Sequence, residues 1–133
     1  MLTTESVLTW IKTLKTKADH YYCGLLNSKH DKSFGIYQLK QERARDIALG
    51  GLANTQTATK AISLLVHWDK STRATENIAA ELYADLEKIT TTKIGDNTIN
   101  YIQLLHNEPV DVGADENGIC ERVIEFIIHY ERS

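Results

Sequence analysis

Hydrophobic residues recur along this chain with two periods. Over residues 3–15, Val7, Trp10, Ile11 and Leu14 fall at i, i+3, i+4 and i+7, the stripe of an amphipathic helix. Thr3 or Thr4 offers an N-cap, Glu5 suits the first turn, and Lys12, Lys15 and Lys17 suit the electronegative end. Residues 71–89 carry the strongest helical pattern. Ser71 or Thr72 caps it; Ile78, Leu82, Leu86 and Ile89 form its apolar stripe, with Ala79 and Tyr83 beside them.

Period two marks the strands. In residues 60–68, Ile62, Leu64, Val66 and Trp68 point one way and Ala61, Ser63, Leu65 and His67 the other. In 119–131, Cys120, Ile124, Phe126, Ile128 and Tyr130 share a face, with Arg122 the exception. Residues 20–27 and 33–39 are rich in aromatic and branched side chains, and the polar link SKHDK predicts a hairpin between them. TKIGDNTINYIQLLH predicts two strands around Gly95-Asp96-Asn97. Helix, strands, helix, strands is an α+β order. It predicts one domain over residues 1–133, a largely antiparallel sheet with two main helices on one face.

Two stretches resist the periodic reading. Residues 40–60 hold Gly50-Gly51 and a Thr/Asn/Gln run, an unusually long loop for so small a chain. DVGADENGICE (111–121) is crowded with acids and looks like a calcium loop. With Gly118 at the sixth position, the first and twelfth positions fall on Gly113 and Ile124, so both anchor ligands are missing. A turn is the better reading, with Asn117-Gly118 supplying positive φ angles and Pro109 kept out of a sheet interior.

Charge sharpens this picture a little. The net charge of −3 divides into +4 over residues 1–60, −2 over 61–106 and −5 over 107–133. Such a split suits copies that dock head to tail, and the acidic total disfavours a nucleic-acid-binding module. Cys23 and Cys120 lack CxxC spacing and read as reduced thiols. The N-terminal stretch shows no cleavable-signal design, and no segment approaches the eighteen or so apolar residues of a membrane span. No P-loop, GxGxxG, GxSxG or paired-carboxylate motif occurs, so no catalytic or cofactor-binding residue is assigned. His67, His106 and His129 could meet across neighbouring strands as a metal or enzymatic site, although lone polar-face histidines are the commoner outcome. Lys40, Arg43 and Arg45 form a small basic patch, ordinarily a solvated loop.

Three blocks occur together: ALGGLANT (48–55), SLLVHWDKSTRATENIAAELYADL (63–86) and NEPVDVGADENGICERVIEFIIHYER (107–132). With YYCGLLN and FGIYQL they span nearly the whole chain. The pattern resembles the minor capsid proteins, thought to be tail terminators or tail-completion proteins, of phages and prophages of Gram-positive bacteria. The resemblance implies an α+β virion protein, made in the host cytoplasm, that needs no cofactor and catalyses nothing. It implies a ring, usually of six subunits, on the head-proximal end of the tail tube. That ring stops polymerisation, joins the head connector or stopper, and lets DNA pass without specific binding. Such subunits can stay monomeric until they meet the tube. On this reading the 27–33 and 40–60 loops make assembly contacts, with Arg43 and Arg45 meeting Asp111, Asp115 and Glu116 of the next subunit. A head–tail adaptor or stopper is the alternative on the same particle.

Overall fold

Alternation runs longest in two segments, and these become the two central strands. The computed structural model describes residues 2–24, 27, 29–40 and 57–131. In chain order the elements are α1 (Thr4–Ile11), β1 (His20–Cys23), β2 (Ser33–Gln38), β3 (Thr57–His67), α2 (Thr72–Glu87), β4 (Thr92–Ile94), β5 (Asn97–Leu104), β6 (Val110–Ala114) and β7 (Cys120–Glu131). One seven-stranded sheet runs β1-β2-β3-β7-β5-β4, with β6 also paired to β7. β3 and β7 lie antiparallel from Thr57↔Glu131 to His67↔Glu121. On the other edge of β7, β5 takes the half from Phe126 to Tyr130 and β6 takes Cys120 to Val123.

Because side chains alternate across a strand, this register sends Ile62, Leu64, Val66, Ile124, Phe126, Ile128 and Tyr130 to one face. All are buried, together with Phe34, Ile36, Ile94 and Ile99. Both helices cover this face. α2 lies mainly over β7, while α1 touches β1, β2 and β4. β1 and β4 stand at opposite ends of the strand order, so a helix touching both requires the sheet to curl around it.

The helices follow the sequence with two local differences. Thr3 caps α1, its hydroxyl accepting from Ser6 N at 3.1 Å. α1 then ends at Ile11 rather than near residue 15. Thr13 N donates to Trp10 O and Leu14 N to Ile11 O, and the Thr13 hydroxyl also takes Trp10 O at 2.6 Å. Those tighter turns close the helix, leaving Lys15 and Lys17 beyond it. α2 is capped by Ser71, which accepts from Ala74 N at 3.2 Å. Its buried residues are Thr75, Ala79, Leu82 and Leu86, with Ile78, Tyr83 and Ile89 at the margin. The small side chains of Thr75 and Ala79 let the helix lie close to the sheet, which turns the expected stripe by a fraction of a turn.

The predicted hairpin of residues 20–39 is corrected. β1 and β2 are parallel, His20↔Ser33 through Cys23↔Ile36. Gly24, at φ +88°, ends β1, and the chain returns so that Asp19 N donates to Lys32 O at 2.8 Å. β1 is four residues long, about 13 Å. The nine residues between the strands can span that distance. Composition marks a strand but carries no direction.

Phe126 is wholly buried at the centre of this core. Phe126→Ala is expected to lower the unfolding free energy by about 3–5 kcal/mol, read from chemical denaturation. Phe126→Leu, which keeps most of the volume, is expected to cost much less.

Candidate assembly surface

Among the described residues no helix covers the other face of the sheet. β3 presents Ser63, Leu65 and His67 there, β7 presents Glu121, Val123, Glu125, Ile127 and His129, and β5 presents Tyr101 and Gln103. The exposed large hydrophobics of the described chain gather on one side of β7: Tyr101, Leu105, Val110 and Val112. Val110 lies opposite Val123, and Leu105 N donates to Glu125 O at 3.0 Å. Together with Leu65 and Ile127 they form an apolar path across the uncovered face.

Where the sequence predicts a turn between two strands, Val110–Ala114 form a strand of their own, β6. All five of its residues are exposed. Pro109 leads into it, and the ladder shifts between Asp111 and Gly113, leaving Val112 opposite no residue of β7. Gly113 takes φ +92° at this bulge, and Asp111 Oδ1 accepts from its N–H at 2.8 Å. A short, bulged, acid-bearing strand is a common way to blunt a sheet edge.

DVGADENGICE is therefore an edge strand, a five-residue turn and the start of β7. Its flanks are strands, against the helices a calcium loop would need. Asp115 Oδ1 accepts from Asn117 N at 2.9 Å and from Ile119 N at 3.0 Å. Gly118 N donates to Asp115 O, and Asp115 N to Ile119 O, both at 3.0 Å. Of the Asn117-Gly118 pair only Gly118 takes positive φ, at +79°.

The structure separates the three acids that the sequence groups. Asp111 turns to the helix side, where Arg122 Nη2 lies 3.7 Å from it and 3.7 Å from Glu76 of α2. Asp115 turns inward, with its Oδ2 3.6 Å from His67 Nε2. Glu116 is exposed at the tip. Arg43, Arg45 and the ALGGLANT block lie outside the described residues.

The three histidines do not converge on a metal. His67 is wholly buried, with Nδ1 2.8 Å from Glu121 Oε2. His106 Nε2 lies 3.0 Å from Glu125. His129 stacks on Tyr101 at 4.2 Å and bonds Gln103 at 2.8 Å. His67 and His129 sit eight positions apart in the β7 register, about 27 Å along a strand. No metal-ligand group occurs among the described residues. The Tyr83 hydroxyl donates to His106 O at 2.6 Å and ties α2 to the exit of β5. Burial first, and the Glu87 carboxylate second, raise this phenol above its ordinary value. Both cysteines are free thiols. An open cleft of about 710 Å³ is lined by Lys29, Asp31, Asp69, Lys70, Ser71, Asn117 and Ile119. Its charges balance and it lacks the apolar lining of a small-molecule site.

An exposed apolar path beside a strand edge that is unpaired among the described residues suits contact with other proteins. The family model described as bacteriophage tail terminator protein matches residues 1–132. The chain belongs to the phage tail terminator family. No curated protein matches it significantly. Tail terminators are structural components of the virion that interact with other tail or head parts. No described helix is long and apolar enough to cross a membrane. The sequence missed both β6 and the surroundings of His67. Val110 and Val112 alternate with Asp111, a faint strand signal across only five residues.

At Gly118 a side chain would meet nothing within 4 Å, so only backbone conformation opposes one. Gly118→Ala is expected to cost about 1–2 kcal/mol in thermal or chemical denaturation, with the fold retained by circular dichroism.

Proposed function

We propose that this tail terminator caps the head-proximal end of the tail tube as a ring of six subunits. The ring stops tube polymerisation and forms the joint to the head connector. The observation that carries this reading is the apolar path Tyr101–Leu105–Val110–Val112 beside the outer edge of β6, unpaired among the described residues, in a chain of this family. A face of this kind, left bare by both helices, is what a subunit needs for neighbours or tube.

The sheet and α2 act as one rigid body within the ring. The 27–33 and 40–60 loops contact neighbour or tube, with Arg43 and Arg45 meeting the acidic region of the next subunit. Asp111 and Glu116 are the reachable acids for that contact, because Asp115 is only 15% exposed and faces His67. A contact between different patches of identical copies closes into a ring when the rotation allows. Subunits remain monomeric until they reach the tube, and acids near the opening repel DNA phosphates so that the genome passes without sticking. The role is structural, without catalysis or cofactor, on a particle that infects a Gram-positive host.

Electron microscopy of particles made with and without the gene tests the reading. Overlong headless tubes in its absence are the expected result; tails of normal length that fail to join heads would instead identify a head–tail adaptor. Val112→Asp is expected to leave the monomer folded and to abolish capping in the same assay. Arg43→Glu with Arg45→Glu is expected to do likewise. Tube ends still capped by the double variant would remove those arginines from the interface.

A further inference from the structure

We infer that the outer edges of β1 and β6 are two halves of one joint, through which the sheet of each subunit continues into a second copy of this chain. Such a joint rests on the ring proposed above and supplies the contact that closes it.

At one end of the sheet five strands lie side by side as β1-β2-β3-β7-β6. Their registers align into rows. One row runs Tyr22, Gly35, Leu65, Val123, Val110, and another runs His20, Ser33, His67, Glu121, Gly113. β1 and β6 therefore end the same rows at the same height. Among the described residues each pairs with one strand, β1 with β2 and β6 with β7, so each turns unpaired backbone groups outward. They match in length, four residues against five.

Direction fits as well. β1 is parallel to β2, and every later step across these rows is antiparallel, so β1 and β6 run in opposite directions. Rotation about a ring axis that lies along the strands preserves those directions. β1 of the next copy then meets β6 antiparallel, the stronger arrangement. Tyr22 and Val110 share the face away from the helices, because Tyr21 turns to the core against Phe34 and Val110 stands opposite Val123. The joint sets Tyr22 of the next copy beside Val110 and carries the apolar path across the boundary.

Charge selects the occupant. The chain enters β1 past Lys17 and returns past Lys32, whose carbonyl accepts from Asp19 N at 2.8 Å. Both lysines are exposed, and among the described residues neither pairs with a carboxylate. They flank the His20 end of β1, which lies in the row of Gly113. Just beyond Gly113 the turn carries exposed Glu116, and residues 105–118 hold four acids and no lysine or arginine. A β6 edge facing another β6 sets acid against acid, whereas a strand flanked by lysines is matched. The contact is thus between unlike edges, the kind that closes rings.

Disulfide trapping in purified tails tests the joint. In a chain with Cys23→Ser and Cys120→Ser, Tyr22→Cys is combined in turn with Glu108→Cys, Val110→Cys or Val112→Cys, which covers a stagger of two residues either way. Within one subunit Tyr22 and Val110 are four strand spacings apart, roughly 19 Å, beyond disulfide reach, so a bond joins two copies. On oxidation at least one pair is expected to give a ladder of covalent multimers on a non-reducing gel, and the single-cysteine parents none. No ladder from variants present in tails would overturn the joint. If the variants do not enter tails, zero-length carbodiimide coupling of the unsubstituted protein decides. Lys17 or Lys32 joined to Asp111 or Glu116 between isotopically light and heavy copies is the expected product. Its absence would sink the joint, and coupling of those acids to a different tail protein would put that protein on β6 instead. Wild-type tails without this chain would remove the capping role, and the same oxidation of the concentrated purified chain would then decide the joint.

Discussion

β7 carries three partners at once. β3 runs beside it over eleven register positions, while β5 and β6 divide its other edge between them. The sheet therefore has one strand that takes part in three of its ladders, the longest among them. Side chains on β7 alternate faces, so this strand also divides the molecule into two functional sides. Ile124, Phe126, Ile128 and Tyr130 bind the helices, while Val123, Glu125, Ile127 and His129 look outward. A slip of one residue would exchange these sets and bury Glu125 in the core, which explains why the register is held by so apolar an inner face.

The outer side is where the molecule departs from economical packing. Its apolar residues lie along β5 and β6 rather than scattered over the sheet, and the adjoining edge strand is bulged and acidic. These features keep an exposed edge from pairing freely while leaving it available to a matched surface. Within one subunit, Arg122 and His67 already engage four carboxylates nearby, three of them in residues 107–133. The acidity of residues 107–133 is thus partly spent inside the fold, and the exposed remainder is smaller than the sequence suggests.

Local physics was legible in the sequence wherever one period dominated. The stripe of α2, the alternation of β3 and β7, and the Gly95 turn between β4 and β5 all follow from neighbours a few residues apart. Direction and pairing do not. The parallel partnership of β1 and β2 depends on where the intervening link travels, which strand composition cannot encode. β6 was too short for alternation to outweigh its Pro109, Gly113 and acids. The clamp on His67 joins residues 48 and 54 positions apart in the chain, and no spacing rule reaches that far. The family itself was readable from whole blocks of sequence, because a pattern across the chain carries information that single residues do not.

The late place of β7 in the chain has a consequence for biosynthesis. His67 waits 54 residues for its partner Glu121, and Thr57 waits 74 for Glu131. Until those residues leave the ribosome, β3 and β5 have no strand between them, and the helices have only part of a floor to pack on. Folding of the sheet then waits until β7 has been made, as long-range pairing generally requires. For a tail component that interacts with other parts of the particle, the delay acts as a timer. The exposed apolar face, whose centre is β7 itself, takes shape only once synthesis has reached that strand, so half-made chains present no finished surface.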